Sequence, residues 1–173
     1  MHALKTTNEM ENLLDNFTDY IKSLCEKHVE IQHSEAESHF VELNSDAQLK
    51  TPSQSYPVVT LDKLEITYTG PEDATRKQRY VELMFLDKVT NNGGNTDVTA
   101  VKNAMERVSE DFIRKIKIDR KDRVKYPFLK TLKLSEIHLN FVENVSINVH
   151  GTLVSFNFDL PFIDQLEPGR FVE

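Results

Sequence analysis

The segment from Arg79 to Val89 is predicted to form a strand that is apolar on both faces. Its side chains alternate between two apolar sets, with Val81, Leu83 and Phe85 on one face and Tyr80, Met84 and Leu86 on the other. Successive side chains of a strand point to opposite sides of a sheet, so this strand is apolar on both sides. The segment therefore predicts a central strand, and the rest of the chain has to supply its neighbours.

Two further segments show the three- and four-residue spacing of amphipathic helices. The first starts at a capping box formed by Asn8 and Glu11, and the second follows Thr96, a residue type that caps helices. Their apolar faces are Met10, Leu13, Leu14, Phe17, Tyr20, Ile21, Leu24 and His28 in the first helix and Val98, Val101, Met105, Val108, Phe112 and Ile116 in the second. Each face predicts a helix that packs on a sheet.

Extended segments lie on both sides of the predicted central strand. They cover residues 29–33 and 40–43, which are predicted to form a hairpin or two short strands, and residues 56–61, 64–69, 129–141 and 151–160. The order of helix, several strands, helix and two strands predicts the α+β class, with one mainly antiparallel sheet and two long helices packed on one face. We expect one domain over residues 1–160. Pro161 cannot donate a ladder hydrogen bond, so it should end the last strand and begin a C-terminal arm, residues 161–173.

Composition places the chain among ordinary globular proteins. Of its 173 residues, 39% are hydrophobic and 28% are charged, which is close to the average for folded domains. No run approaches the ~18 apolar residues of a membrane-spanning helix, and the N-terminus has no apolar signal-peptide block. A lone cysteine, Cys25, cannot form an internal disulfide. We therefore expect a protein of the cytoplasm, or of a particle assembled there, without membrane contact.

Residue types that hold metals or catalyse reactions are present, but not at the spacing those roles require. Cys25, His28, His33 and His39 match no standard zinc pattern, so we interpret them as packing residues. The run Asn91–Gly94 lacks the lysine and hydroxyl of a phosphate-binding loop and is interpreted as a flexible loop. The chain also lacks a Gly-x-Ser-x-Gly elbow. The sequence thus predicts no catalytic residue, no metal ligand and no cofactor, and a protein that is not an enzyme.

Residues 114–130 are basic within an acidic protein. The segment has a net charge of +6, whereas the whole chain carries −7, so the remainder carries −13. Three interpretations remain open: a solvated helix end, a contact with an acidic protein surface, and a nucleic-acid contact in which Tyr126 and Phe128 would stack on bases. The net negative charge argues against a general nucleic-acid coat. A dipolar subunit favours stacking of a positive flank on a negative flank around a ring, with Arg120, Lys121 and Arg123 as subunit-contact candidates.

Apolar residues in the C-terminal arm are further candidates for a subunit contact. They are Phe162, Ile163, Leu166 and Phe171. Neither a helical face nor a strand alternation organises them, so we expect the arm to be loose in an isolated subunit. A neighbouring subunit would then provide the surface on which it docks.

The order of motifs along the chain carries a family resemblance. An amphipathic N-terminal helix and a polar loop precede Tyr-Pro-Val-Val-Thr-Leu at Tyr56–Leu61 and Phe-Leu-Asp at Phe85–Asp87. The long helix Val98–Ile116 follows, and Asn148–Gly151 then leads the final strand Leu153–Leu160. From Met10 to Leu160 this pattern resembles tail-terminator and tail-completion proteins of tailed bacteriophages. The chain departs from the pattern in its extended region 34–55 and in the length of its basic segment.

The resemblance implies a structural virion protein without catalytic residues. Such proteins form homo-oligomeric rings in the phage neck or tail, assembled in the host cytoplasm. They join the head connector to the tail, so the implied partners are copies of the chain itself and neighbouring neck, portal-connector or tail proteins. DNA would pass through the channel without specific binding. The alternative is an intracellular accessory protein that contacts DNA through residues 114–130.

Overall fold

A computed structural model describes residues 13–43, 55–71, 74–89 and 94–161. They form helices α1 (Leu13–Lys27) and α2 (Asn95–Asp119) and strands β1 (Phe40–Leu43), β2 (Val58–Thr69), β3 (Arg76–Lys88), β4 (His138–Ser146) and β5 (Val149–Pro161). Two short 3-10 turns, Pro127–Thr131 and Leu134–Glu136, connect α2 to β4.

The strands form one sheet in the order β1-β2-β3-β5-β4. Among these described strands, β1 pairs with β2 in parallel, and the other three pairings are antiparallel. The predicted α+β class with a mainly antiparallel sheet is confirmed. The predicted central strand is confirmed as well, because β3 lies between β2 and β5.

Both helices pack on the same face of the sheet, which we call the helix-covered face. The ring of Phe17 in α1 lies edge-on to Phe156 and Phe158 of β5, with centroids 5.9 and 5.0 Å away. Phe112 in α2 meets Phe85 of β3 at 5.0 Å. Edge-to-face contacts of this kind stabilise a core beyond their buried area. The apolar faces predicted for the two helices therefore close one side of the sheet.

No helix in the described part of the chain covers the opposite face, which we call the bare face. At one end, Val58, Leu86 and Val149 form a small buried cluster of their own. Next to it the register pairs Asp62 of β2 with Glu82 of β3, so two carboxylates lie side by side. The bare face is therefore partly apolar and partly acidic.

The close approach of β3 and β5 requires a glycine at position 151. A Cβ atom built on Gly151 would lie 1.9 Å from the carbonyl oxygen of Phe85. No side chain fits at that distance without moving the backbone. Backbone packing between these two strands thus explains the glycine near the start of β5.

The structure differs from the sequence-based expectations in three connecting regions. Residues 29–31 form a turn instead of a strand, because Ile31 and Gln32 donate backbone hydrogen bonds to His28 at the end of α1. Gly94, not Thr96, is the N-cap of α2. The 3-10 turns occupy most of 127–136, so β4 begins only at His138. The predicted start of the first helix, before Leu13, lies outside the described residues.

Candidate interaction surface

The C-terminal end of α2 is tied to α1 by a buried carboxylate. Asp119, the last residue of α2, accepts a hydrogen bond from the Tyr20 hydroxyl at 2.9 Å and lies 2.5 Å from Lys115 Nζ. A carboxylate at a helix C-terminus is unfavourable toward the helix dipole, and these two donors offset that cost. Burial and the neighbouring carboxylate raise the pKa of Tyr20 far above its usual value. Tyr20 therefore remains a neutral hydrogen-bond donor.

Aromatic packing fixes the segment that follows α2. Tyr20 meets Tyr126 at 5.2 Å and Phe128 at 5.8 Å between ring centroids, both edge-on. Tyr126 and Phe128 are half-buried. Because these rings are packed against α1, they do not form the free stacking platform that a single-stranded nucleic acid would use.

Arg120 stabilises the same segment from its polar side. Its guanidinium donates to the carbonyl oxygens of Leu129 and Lys130 at 3.2 and 3.3 Å. These carbonyls belong to the first 3-10 turn, so Arg120 holds the turn against the end of α2. Of the three basic contact candidates, Lys121 and Arg123 remain exposed and without such an internal role.

Five basic side chains surround one cleft beside this segment, which we call the basic cleft. Its volume is about 290 Å³, and its lining consists of Lys117, Arg120, Lys121, Arg123, Lys130 and Leu134. Within the described ranges, the side chains of the four basic residues other than Arg120 form no ion pair or hydrogen bond. Clustered cations without counter-charges raise the local potential and favour an anionic partner.

A second cavity, which we call the apolar groove, adjoins the basic cleft. Its volume is about 490 Å³, and its apolar lining comes from Leu13, Pro127, Phe128, Leu160 and Pro161. Arg123 and Lys130 line both cavities. The groove lies between the first 3-10 turn and the end of β5. Of this apolar lining, Leu13 and Leu160 are buried, Pro127 and Phe128 are half-buried, and Pro161 is exposed. The interaction surface therefore combines partly exposed apolar side chains with positive charge.

The negative counterpart lies on the bare face. Asp62 and Glu82 occupy neighbouring strands, and Ser155 and His138 continue the same row across β5 and β4. Burial, and secondarily the charge of Asp62, raise the pKa of Glu82. Like charges directly opposite in a sheet are destabilising. A basic partner would therefore relieve the repulsion between these two carboxylates.

The residues considered as metal ligands have separate structural roles. Cys25 is fully buried, and burial raises the pKa of its thiol. His33 Nδ1 accepts a hydrogen bond from the backbone N–H of His39, while His39 Nδ1 lies 2.7 Å from the carbonyl oxygen of Pro57. Within the described ranges, no three His, Cys, Asp or Glu side chains are grouped to hold a metal ion.

Other predicted residues fall outside the described ranges. Phe162, Ile163, Leu166 and Phe171 belong to the C-terminal segment, and most of the Asn91–Gly94 run precedes the described start of α2. Neither α1 nor α2 has the length and apolar composition needed to cross a membrane.

Sequence reasoning located the basic segment but missed two features of this surface. The apolar groove joins Leu13 and Leu160, which lie at opposite ends of the described chain. The acidic pair depends on the register between β2 and β3. Neither feature has a local signal, because each requires the fold to bring distant residues together.

No protein-family model matches the chain, and no curated protein matches it.

Proposed function

We propose that this chain is a structural virion protein, not an enzyme, that forms a homo-oligomeric ring in the neck or tail of a tailed bacteriophage. It would be of the tail-terminator or tail-completion type, assembled in the host cytoplasm and joining the head connector to the tail. Its partners would be copies of itself and neighbouring neck, portal-connector or tail proteins. The motif order described above supports this proposal.

The observation that carries the proposal is the separation of charge on the surface. Lys117 and Lys121 are exposed at the basic cleft without a described ion-pair partner, whereas Asp62 and Glu82 repel each other on the bare face. Contact between the cleft of one copy and the bare face of the next would satisfy both sets of charges. Because the two surfaces differ, the contact is head-to-tail, and repeated head-to-tail contacts close into rings when the rotation allows.

The net charge of −7 also suits a DNA channel. An acidic wall repels the phosphate backbone and leaves DNA free to move, whereas a basic wall would retain it. DNA would therefore pass through the ring without specific binding.

Charge exchange between the two surfaces tests the proposal. We expect the unmodified protein to assemble into rings visible by negative-stain microscopy, with a matching mass by light scattering. Lys121→Glu and Asp62→Lys should each shift the protein toward monomers, and the double variant should recover assembly. Arg107→Glu is the matched control, since Arg107 is exposed on α2 and lines neither cavity. A double variant that assembles no better than the single variants would contradict the contact.

The second candidate function is that of a DNA-contacting accessory protein. The unpaired cations of the basic cleft favour it, although the packing of Tyr126 and Phe128 removes the stacking surface. An accessory protein would stay monomeric and retain DNA with a strong dependence on salt. Lys117→Glu with Lys121→Glu would then reduce the salt dependence of DNA binding, and Arg107→Glu would affect it less.

A further inference from the structure

A buried histidine without hydrogen-bond partners lies beside the start of α2. His150 of β5 is 5% exposed, and within the described ranges neither of its ring nitrogens has a hydrogen-bond partner. Its register neighbour in β3, Asp87, instead accepts a hydrogen bond from the backbone N–H of Lys88 at 2.7 Å. Buried polar groups are normally hydrogen-bonded, so an unpaired one requires a specific explanation.

The histidine lines a cavity at the N-terminus of α2, which we call the α2 cavity. Its volume is about 480 Å³, and its lining consists of Asn95, Val98, Thr99, Lys102, Glu143, Asn144, Asn148 and His150. The imidazole lies near the Glu143 carboxylate, because His150 adds to the effect of Lys102 in lowering the pKa of Glu143. The Nδ1 atom of His150 is enclosed by protein atoms, so Nε2 is the ring nitrogen that a ligand in the cavity can reach.

The start of α2 adds a backbone donor at the same cavity. The first N–H groups of a helix have no acceptor within the helix. Asp97 and Val98 donate to the carbonyl oxygen of Gly94, whereas the N–H groups of Asn95 and Thr96 have no described acceptor. The N-cap, Gly94, has no side chain that could accept a hydrogen bond, and the space around its Cβ position is open. The partial positive charge of the helix N-terminus is therefore available to a ligand.

The charges around the α2 cavity favour an anion over a cation. Lys102 and the side-chain amides of Asn144 and Asn148 supply further donors. The Glu143 carboxylate opposes an anion, but Lys102 forms an ion pair with it. Asp97 also lies in the first turn of α2, yet it does not line the cavity. In the part of the chain that the structure describes, no three His, Cys, Asp or Glu side chains are grouped to hold a metal ion.

We propose that the α2 cavity binds a phosphate group, either as inorganic phosphate or as part of a small molecule. The phosphate oxygens accept hydrogen bonds from the backbone N–H of Asn95 and from His150 Nε2, and Lys102 balances the negative charge. The cavity has the size of a small-molecule pocket. None of the residues of the basic cleft lines it, so the two sites are separate. The inference does not rest on the proposed function.

Nuclear magnetic resonance on the full chain tests the proposal, with inorganic phosphate as the probe at constant ionic strength. Phosphate should shift the backbone amide of Asn95 and the ring resonances of His150 with one common dissociation constant. His150→Phe should raise that constant about tenfold or more, because a hydrogen bond to a charged group is lost. His138→Phe is the matched control, since His138 is exposed on β4 and does not line the cavity.

A second pair of variants isolates the backbone donor. Asn95→Pro removes the N–H at the first helical position, where proline is favoured, and the extended backbone of Gly94 suits a following proline. Asn95→Ala keeps the N–H and removes the same side chain. The proline variant should therefore bind phosphate about fivefold or more weakly than the alanine variant. Glu143→Gln should bind phosphate more tightly than the unmodified protein, because the opposing carboxylate is removed. Unchanged resonances in the rest of α2 and in β3 would show that each variant is folded.

Adenosine monophosphate distinguishes the two sources of the phosphate group. Binding about tenfold or more tighter than that of inorganic phosphate would assign the site to a nucleotide-like molecule, and equal binding would assign it to the free ion. Absence of shifts at Asn95 and His150 would overturn the proposal, as would equal dissociation constants for His150→Phe and the unmodified protein. Phosphate binding that Lys117→Glu with Lys121→Glu removes and His150→Phe leaves intact would also overturn it, since the anion would then occupy the basic cleft.

Discussion

The helix-covered face of the sheet is closed by Phe17 and Phe112, whose rings pack on β5 and β3, whereas the bare face places Asp62 beside Glu82 with no described helix above them. Contacts on the first face are completed within the chain. On the second face, Glu82 is half-buried opposite Asp62, and burial together with the like charge raises its pKa. The two helices thus close one side of the sheet, whereas on the other side Asp62 and Glu82 stay half-buried.

This difference predicts how substitutions should act. Changes on the helix-covered face should reduce the free energy of unfolding, because buried area and ring contacts are lost there. Changes to the acidic pair should leave folding intact or improve it, and should act mainly on assembly. The side chains of the central strands β3 and β5 point to both faces. Substitutions in these strands therefore test the difference between the faces most severely.

Of these substitutions, Gly151→Ala should lower the free energy of unfolding the most, although it adds only one methyl group. The new Cβ would lie 1.9 Å from the Phe85 carbonyl oxygen, so β3 and β5 would have to move apart. That movement would disturb the side chains on both faces of the sheet. We expect a loss of more than about 4 kcal/mol in the free energy of unfolding, measured by urea denaturation, or a protein that does not fold. Gly94→Ala is the control, since no atom lies within 4 Å of its Cβ position. Equal losses from the two variants would contradict the close approach.

Phe17→Ala should have the next largest effect and sharpens the contrast between the faces. Phe17 is fully buried against Phe156 and Phe158, and its truncation should cost about 3–5 kcal/mol. Met84→Ala on the bare face removes a half-buried side chain and should cost no more than about 2 kcal/mol. Thermal and urea unfolding measure both. A larger loss from Met84→Ala would show that the bare face is the true core.

Asp119→Asn should weaken the connection between α1 and the interaction surface. The amide cannot replace the charge that Tyr20 and Lys115 contact, and losing a hydrogen bond to a charged group costs about 1.5–3 kcal/mol. We expect faster hydrogen exchange in residues 120–131 together with this loss. Tyr20→Phe removes only the hydroxyl and is the matched variant. Exchange that stays unchanged in residues 120–131 in both variants would mean that Asp119 does not anchor the surface.

Periodicity predicted the elements that have a strong local signal. Alternation identified β3 as central, and three- and four-residue spacing placed the buried residues Phe17, Met105 and Phe112 on helices. It failed for residues 29–33, where Val29 and Ile31 alternate although the chain turns, because backbone bonds to the end of α1 outweigh strand propensity. Local propensity is a weak determinant of secondary structure where a helix end offers hydrogen-bond acceptors.

The interaction surface was only partly predictable, because many of its contacts join residues that are distant in the sequence. The basic segment is visible in the sequence, but nothing local shows that Arg120 binds the carbonyls of Leu129 and Lys130. The pairing of Asp62 with Glu82 follows from the strand register, which is continuous from Val58 to Lys63 and shifts only between Lys63 and Ile66. These contacts depend on tertiary structure and are seen only once the chain is folded.

Glu82→Gln should have the smallest effect and the opposite sign, which makes it the most specific test of the bare face. Because burial and Asp62 raise the pKa of Glu82 in the folded protein, the folded state binds more protons than the unfolded state between the ordinary and the raised value. Stability therefore falls as pH rises through that interval, and at pH 7 the ionised carboxylate is a net cost. The amide should raise the melting temperature at pH 7 by about 2 °C, and the gain should vanish near pH 4, where Glu82 is protonated.

Glu143→Gln is the control of opposite sign. Lys102 lowers the pKa of Glu143, so the stabilising contribution of the Glu143 carboxylate is present above the ordinary pKa and is lost as pH falls. Removing that carboxylate should slightly lower the melting temperature at pH 7. Scanning calorimetry between pH 4 and pH 7 distinguishes the two. A Glu82→Gln protein that melts below the unmodified protein at pH 7 would show that the carboxylate is satisfied within the subunit, and the bare face would then need no basic partner.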